Sequence, residues 1–279
     1  MYQRPCYLIA FYWLNPLIII ELGYNLHFEA AQIFFVLLTL YGIETRRVKI
    51  AAFAFAGAVV AKLLPLIFLP IFWFRLNLKQ FLSFFLIGAT LFLLAFLPFF
   101  NIEIISKIGA SVGLYFKNFE FNASVYYLCR EIGFWVWGNN QIAFLGRALS
   151  VLFLTISFII AKKAKQKTKN KNVDADKNLN SNQSQNENSN LPELMLFTLT
   201  VYYLLATTIH PWYVANLLIF SVLTKYKYPV VWSFFIFLTY KSYENPYLYQ
   251  ENLFLVAVEY LAVVVYFCYE KGYFFSKKS

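Results

Sequence analysis

The sequence predicts an all-α fold, a polytopic transmembrane helix bundle, on three observations. Hydrophobic residues fill 60% of its 279 positions and charged residues only 14%, against roughly 45–50% and 25% in a soluble domain. The apolar residues gather in runs that cross or enter a bilayer, about eight to ten segments in all. The Lys and Arg behind the net charge of +10 cluster in short loops between those runs. That pattern orients membrane proteins; it excludes nucleic acid as the partner and makes membrane lipid the first one. Phe, Tyr and Trp reach 21%, and such rings favour the membrane-water boundary.

In chain order the apolar runs are 7–24, 30–43, 78–98, 142–161, 194–209, 211–224, 230–240 and 253–269. The basic loops fall at 46–49, 75–79, 162–171 and 225–227, with Lys277 and Lys278 in the tail. Placed in the cytoplasm, they set the orientation. The outer face then collects residues 15–29, a loop at 99–141 that aromatic and polar residues shape into amphipathic helices, the turn at 210–213, and residues 241–252. Three parts follow: a membrane bundle over 1–161, a linker over 162–191, and further membrane helices over 192–279.

Residues 50–74 must leave the cytoplasmic face and return to it. At 1.5 Å per residue about 25 residues span roughly 38 Å, too long for one upright crossing and too short for two. A broken re-entrant hairpin fits both limits. Its break falls at Lys62-Leu63-Leu64-Pro65, where proline removes a backbone donor. Lys62 would stand at the tip, lining a cavity with an anionic partner; the alternative is one tilted helix with Lys62 snorkelling.

The linker "KKAKQKTKNKNVDADKNLNSNQSQNENSN" has almost nothing to bury and reads as a disordered, basic and polar cytoplasmic segment. Cys6, Cys129 and Cys268 are too few and too scattered for a disulfide framework or a metal site. Asn122-Ala123-Ser124 and Asn182-Gln183-Ser184 match glycosylation acceptors.

The candidate chemistry sits in polar groups set among apolar ones. In "NPLIIIELGYNLHFE" (residues 15–29), Asn15-Pro16 ends one helix and opens another. Glu21, Asn25 and Glu29 then form a stripe on one helical face, with His27 beside it. The stripe is either a site or hydrogen-bonded glue between helices. In His210-Pro211-Trp212-Tyr213, Trp212 and Tyr213 offer a flat apolar surface of the kind that holds a sugar ring or anchors at the interface. His210 adds a donor that relays protons near neutral pH. Arg130, in the outer loop, has the planar fork that grips phosphate, unless Glu120 or Glu131 takes it into an ion pair.

Four stretches, "YWLNPLIIIELGYNLHFE", "GAVVAKLLPLIFLP", "FEFNASVYYL" and "TTIHPWYV", in this order and spacing, resemble the bacterial mannosyltransferase-like branch of the GT-C class of membrane glycosyltransferases. The resemblance covers nearly the whole chain outside the linker. It implies transfer of a hexose, mannose in that branch, from a polyprenyl-phosphate sugar to an acceptor hydroxyl on a glycan, lipid or protein, at the outer face of the bacterial cytoplasmic membrane. It further implies that Glu21, His27 and Glu29 are catalytic, that Asn25 shapes the cavity, that Lys62 faces the lipid-phosphate path, and that His210 and Tyr213 bind phosphate or sugar. A divalent cation is compatible with the class.

One departure stands out. The carboxylate most often assigned as catalytic in that class lies in a first outer loop upstream of the Asn-Pro motif, whereas here Met1 comes a few residues before it. The expectation is an amino-terminal truncation that leaves this polypeptide inactive alone, or else a catalytic role for Glu21 or Glu29. A transporter or lipid flippase would share the broken hairpin and the outward carboxylates but should carry an inverted repeat. A non-catalytic scaffold would have no need of the polar cluster.

Overall fold

The computed structural model describes residues 5–99, 119–177, 191–244 and 250–272, with 101, 103, 106, 107, 109–111 and 113 between them. Among the described residues the chain is helical, and its sole extended pairing is an isolated parallel bridge between Phe121 and Thr208. Three helices among the described residues are long and apolar enough to cross a membrane: Leu78–Phe99, Ile142–Gln166 and Leu253–Glu270. The expected spans at 194–209 and 211–224 are instead shorter apolar helices, Leu191–Leu205 and Pro211–Leu223, and residues 50–74 are divided at the expected break into two more, Val48–Ala61 and Leu64–Arg75. The chain divides into two compact units.

The first unit takes residues 30–104 and 152–199. Its Glu29–Glu44 helix ends by turning its last carbonyls inward: Arg47 N–H donates to Gly42 O at 2.7 Å and Arg46 N–H to Ile43 O at 3.1 Å. These paired bonds close a helix when the residue between them is left-handed, and Arg46 has φ of 59°. Glycine at 42 permits the tight return, since a Cβ there would stand 2.6 Å from the Ala51 amide.

The Val48–Ala61 helix stops where expected. Lys62 is extended, Pro65 opens the 3₁₀ turn Leu64–Phe68, and Pro70 opens the Leu69–Arg75 helix. Asn77 and Gln80 then exchange hydrogen bonds to cap the Leu78–Phe96 helix. Phe55, Phe72 and Phe84 meet edge to face or tilted, centroids 5.1–5.6 Å apart, forming an aromatic core.

The linker reading needs correction. The Ile142–Lys177 helix runs straight through the first half of 162–191. Lys, Ala and Gln are strong helix formers, and no Gly or Pro interrupts them, so a helix begun in the apolar run continues beyond it. Residues 178–190, with the acceptor motif at Asn182, lie outside the described residues, as do Lys277 and Lys278.

The second unit takes residues 4–29, 105–151 and 200–279. The expected break at Asn15-Pro16 is present. Asn15 Oδ1 accepts the Leu17 amide at 2.9 Å while its Nδ2 donates to Ser233 Oγ at 2.8 Å. A π-helical segment, Ile18–Tyr24, follows. The Val125–Trp137 helix is amphipathic, burying Tyr126 and Gly133 and exposing Leu128, Ile132 and Trp135.

Residues 119–122 form a strap against 207–209. Phe121 N–H donates to Thr207 O at 3.0 Å, Ile209 N–H to Phe121 O at 2.8 Å, and Thr208 Oγ1 to Phe119 O at 3.1 Å. Within the strap Asn122 is fully buried, so this acceptor motif is closed to a glycan in the folded chain. The three cysteines are free; Cys6 is exposed and the others are half-buried.

Candidate functional site

The single-helix stripe proposed for Glu21, Asn25 and Glu29 does not form. The π-helical segment ends at Tyr24 and Leu26 turns left-handed, with φ of 54°. Glu29 therefore starts the next helix. The Glu21–Asn25 contact survives the break, with Asn25 Nδ2 donating to Glu21 Oε2 at 3.0 Å.

What the turn accomplishes is to bring His27 back over Glu21. His27 Nε2 lies 3.0 Å from Glu21 Oε2, and the Tyr240 hydroxyl donates to Glu21 Oε1. Glu21 is 1% exposed. Such burial is tolerated because both carboxylate oxygens are bonded. Glu29 is buried as well.

From His27 a column of rings runs to the strap. His27 stacks on the Trp212 indole with centroids 4.0 Å apart, and His210 stacks on the same indole at 4.4 Å. His210 in turn stacks on Phe121 at 5.1 Å. The chain has two histidines, and both meet one indole. Pro211 directs this, leaving His210 extended and opening the 3₁₀ turn Pro211–Val214.

The flat platform expected of Trp212 and Tyr213 is thus put to another use. The indole packs against imidazoles, and the Tyr213 ring stands edge-on to His210 at 5.4 Å, its carbonyl accepting from Tyr203. The sequence shows the aromatic run but not which rings face each other, because that is settled by chain reversal at two distant turns.

His210, Tyr243, Phe119, Phe121, Ser242 and Arg130 line a cavity of about 470 Å³ together with Glu120, Glu251 and Leu253. Of the two readings of Arg130, a phosphate grip or an ion pair with Glu120 or Glu131, the described residues show the ion pair. Its Nη1 lies 2.6 Å from Glu120 Oε1, its Nη2 lies 3.1 Å from Glu131 Oε1, and its guanidinium sits 4.5 Å over the Tyr127 ring. A guanidinium is taken first by the nearest carboxylates. Burial opposes the charge on Arg130, but Glu120 and Glu131 outweigh it and raise its pKa.

Glu251 accepts the Asn122 amide at 2.5 Å and the Tyr127 hydroxyl. Burial raises its pKa above the usual carboxylate value, with those two donors opposing. The Tyr127 hydroxyl is pushed up too, by burial and then by Glu251.

Sequence reasoning missed Glu259. It is fully buried in the Leu253–Glu270 helix and accepts from Trp232 Nε1 at 2.7 Å and from Asn122 Nδ2 at 3.1 and 3.2 Å. A lone carboxylate inside an apolar helix was the available signal. Tyr240 gave none.

Lys62 belongs to the first unit, at the helix break. Among the described residues no group of three His, Cys, Asp or Glu is placed to hold a metal ion. No protein-family model, no curated protein and no solved structure matches this chain.

Proposed function

We propose that this chain is a membrane glycosyltransferase that moves a hexose, mannose by the resemblance, from a polyprenyl-phosphate donor to an acceptor hydroxyl at the outer face of a bacterial cytoplasmic membrane. The observation that carries the reading is the convergence of both histidines on one indole, with a buried carboxylate holding one of them. In this reading the short apolar helices are broken or re-entrant segments of a bundle with about eight to ten membrane segments, their backbone satisfied by neighbouring helices.

Glu21 accepts a hydrogen bond from His27 Nε2–H, which leaves Nδ1 as the acceptor nitrogen. As the acceptor hydroxyl attacks the anomeric carbon, its proton passes to Nδ1. The bond from that carbon to the phosphate oxygen breaks, and its electron pair leaves on the lipid phosphate. The imidazolium that forms is stabilised by Glu21, the division of labour between base and orienting carboxylate in hydrolytic triads.

The cavity beside His210 suits the neutral, hydroxyl-rich partner rather than the phosphate. Two lining carboxylates face one guanidinium that is already paired. Carboxylates accept from sugar hydroxyls, and rings pack on sugar faces, whereas a phosphate would meet like charge. The test is transfer of labelled hexose from a polyprenyl-phosphate donor by membranes containing the full chain. Product that requires His27 and Glu21 supports the reading; donor left untouched across a panel of sugar acceptors overturns it.

A further inference from the structure

A second concave site lies in the first unit, independent of the transfer chemistry. Two basic loops far apart in the chain meet around a cavity of about 560 Å³, lined by Arg46, Arg47, Lys49, Lys79, Gln80 and Ser83 along with Val48 and Ile50. No carboxylate lines it. The neighbouring Arg75 is already taken by Glu44 at 3.5 Å, and Arg47 lies over the Tyr41 ring at 6.0 Å. Among the described residues Arg46, Lys49 and Lys79 have no carboxylate partner. Surface cations that serve only for solubility are normally interspersed with acids; these converge.

The backbone adds to the same field. Lys49 and Lys79 stand in the first turns of the helices Val48–Ala61 and Leu78–Phe96, so two positive helix ends open toward one cavity. Arg46 carries a cost. It occupies the left-handed position that closes the Glu29–Glu44 helix, a place where glycine is unstrained and a side chain is not. A strained guanidinium beside three further cations concentrates positive charge at the cavity despite the backbone cost.

We propose that this cavity binds a phosphate group carrying negative charge. The Leu78–Phe99 helix that begins at its wall is long and apolar enough to cross a membrane, and a bilayer crossed by that helix would bring headgroup phosphates to the cavity. The two sources of the group, an anionic lipid headgroup or a soluble phosphate, are separated by experiment.

The purified full chain in neutral detergent is titrated with dioleoylphosphatidylglycerol, with dioleoylphosphatidylcholine as the lipid of no net charge, and separately with inorganic phosphate. Retained lipid is counted by native mass spectrometry, and phosphate binding is followed by ³¹P line width. The expected result is one preferentially retained phosphatidylglycerol, with Arg46→Gly and Lys79→Gln each weakening retention roughly tenfold, the scale of a lost charge-assisted hydrogen bond. Arg46→Gly should melt at or above the parent temperature, which separates lost binding from lost folding; Lys79→Gln changes an exposed side chain and serves as the second variant. Binding of inorganic phosphate with the same sensitivity to both variants assigns a soluble ligand to the site. Binding of neither probe, or retention unchanged in both variants, overturns the proposal.

Discussion

Glu21 and His27 form a carboxylate-imidazole pair, Oε2 to Nε2 at 3.0 Å, across a left-handed turn rather than along a helix. Because Glu21 is buried and bonded at both oxygens, it orients His27 and is poorly placed to meet substrate itself. Glu21→Gln and His27→Ala should each lower hexose transfer by about 10²–10⁴-fold, the usual contribution of a positioned base. The double variant should be no worse than His27→Ala alone, since residues acting as a unit are non-additive. Additive losses in the double variant would break the pairing.

Trp212 holds His27 and His210 in one stack. Trp212→Leu removes the shared surface and should destabilise the protein by about 3 kcal/mol, near the range for large aromatic truncations. Trp212→Phe, which keeps a ring, should cost less. Thermal unfolding in detergent measures both, and a Trp212→Leu protein that melts with the parent contradicts the structural role of the stack.

Glu251 gives a pH dependence whose sign is determined by its raised pKa, from an ordinary 4.5. The folded chain holds this proton more tightly than the unfolded chain. Its contribution to stability is therefore complete below pH 4.5 and is lost as pH rises through the folded value. Chemical denaturation of parent and Glu251→Gln across that window should show the parent losing stability relative to the variant. A constant difference between them would mean that Glu251 does not titrate with folding.

Glu259 anchors the strap through Asn122, which is held left-handed at φ of 46°. Glu259→Ala leaves the Trp232 indole N–H and the Asn122 amide buried without their acceptor. The loss should be about 2 kcal/mol or more, because each orphaned buried donor costs on the order of 1–3 kcal/mol. Glu259→Gln retains an acceptor and should recover part of it. Equal unfolding midpoints for the alanine variant and the parent would show that the network contributes nothing.

The breaks in the chain were legible because proline and asparagine act locally. Asn15-Pro16 and Lys62 to Pro65 end helices where the residue types require it. The amphipathic helix over residues 125–137 is readable from its period. The stripe Glu21-Asn25-Glu29 was misjudged because a helical period was extended through Gly23, Asn25 and Leu26, where the backbone leaves the helix. The linker was misjudged in the other direction. Polar composition says that a segment has nothing to bury, but not that a helix entering it must stop.

By itself the sequence determined the helical class, the runs apolar enough to cross a membrane and the helix breaks, since apolar content and proline act over a few residues or as sums along the chain. Only the tertiary structure decided which polar groups meet: His27 with His210 across one indole, Arg130 with Glu120, Glu259 with Asn122, and Arg46 with Lys79 around one cavity. Each pairing joins residues from separate segments. A buried charge takes whatever partner the fold brings within reach, and that reach belongs to the packed chain and not to any stretch of it.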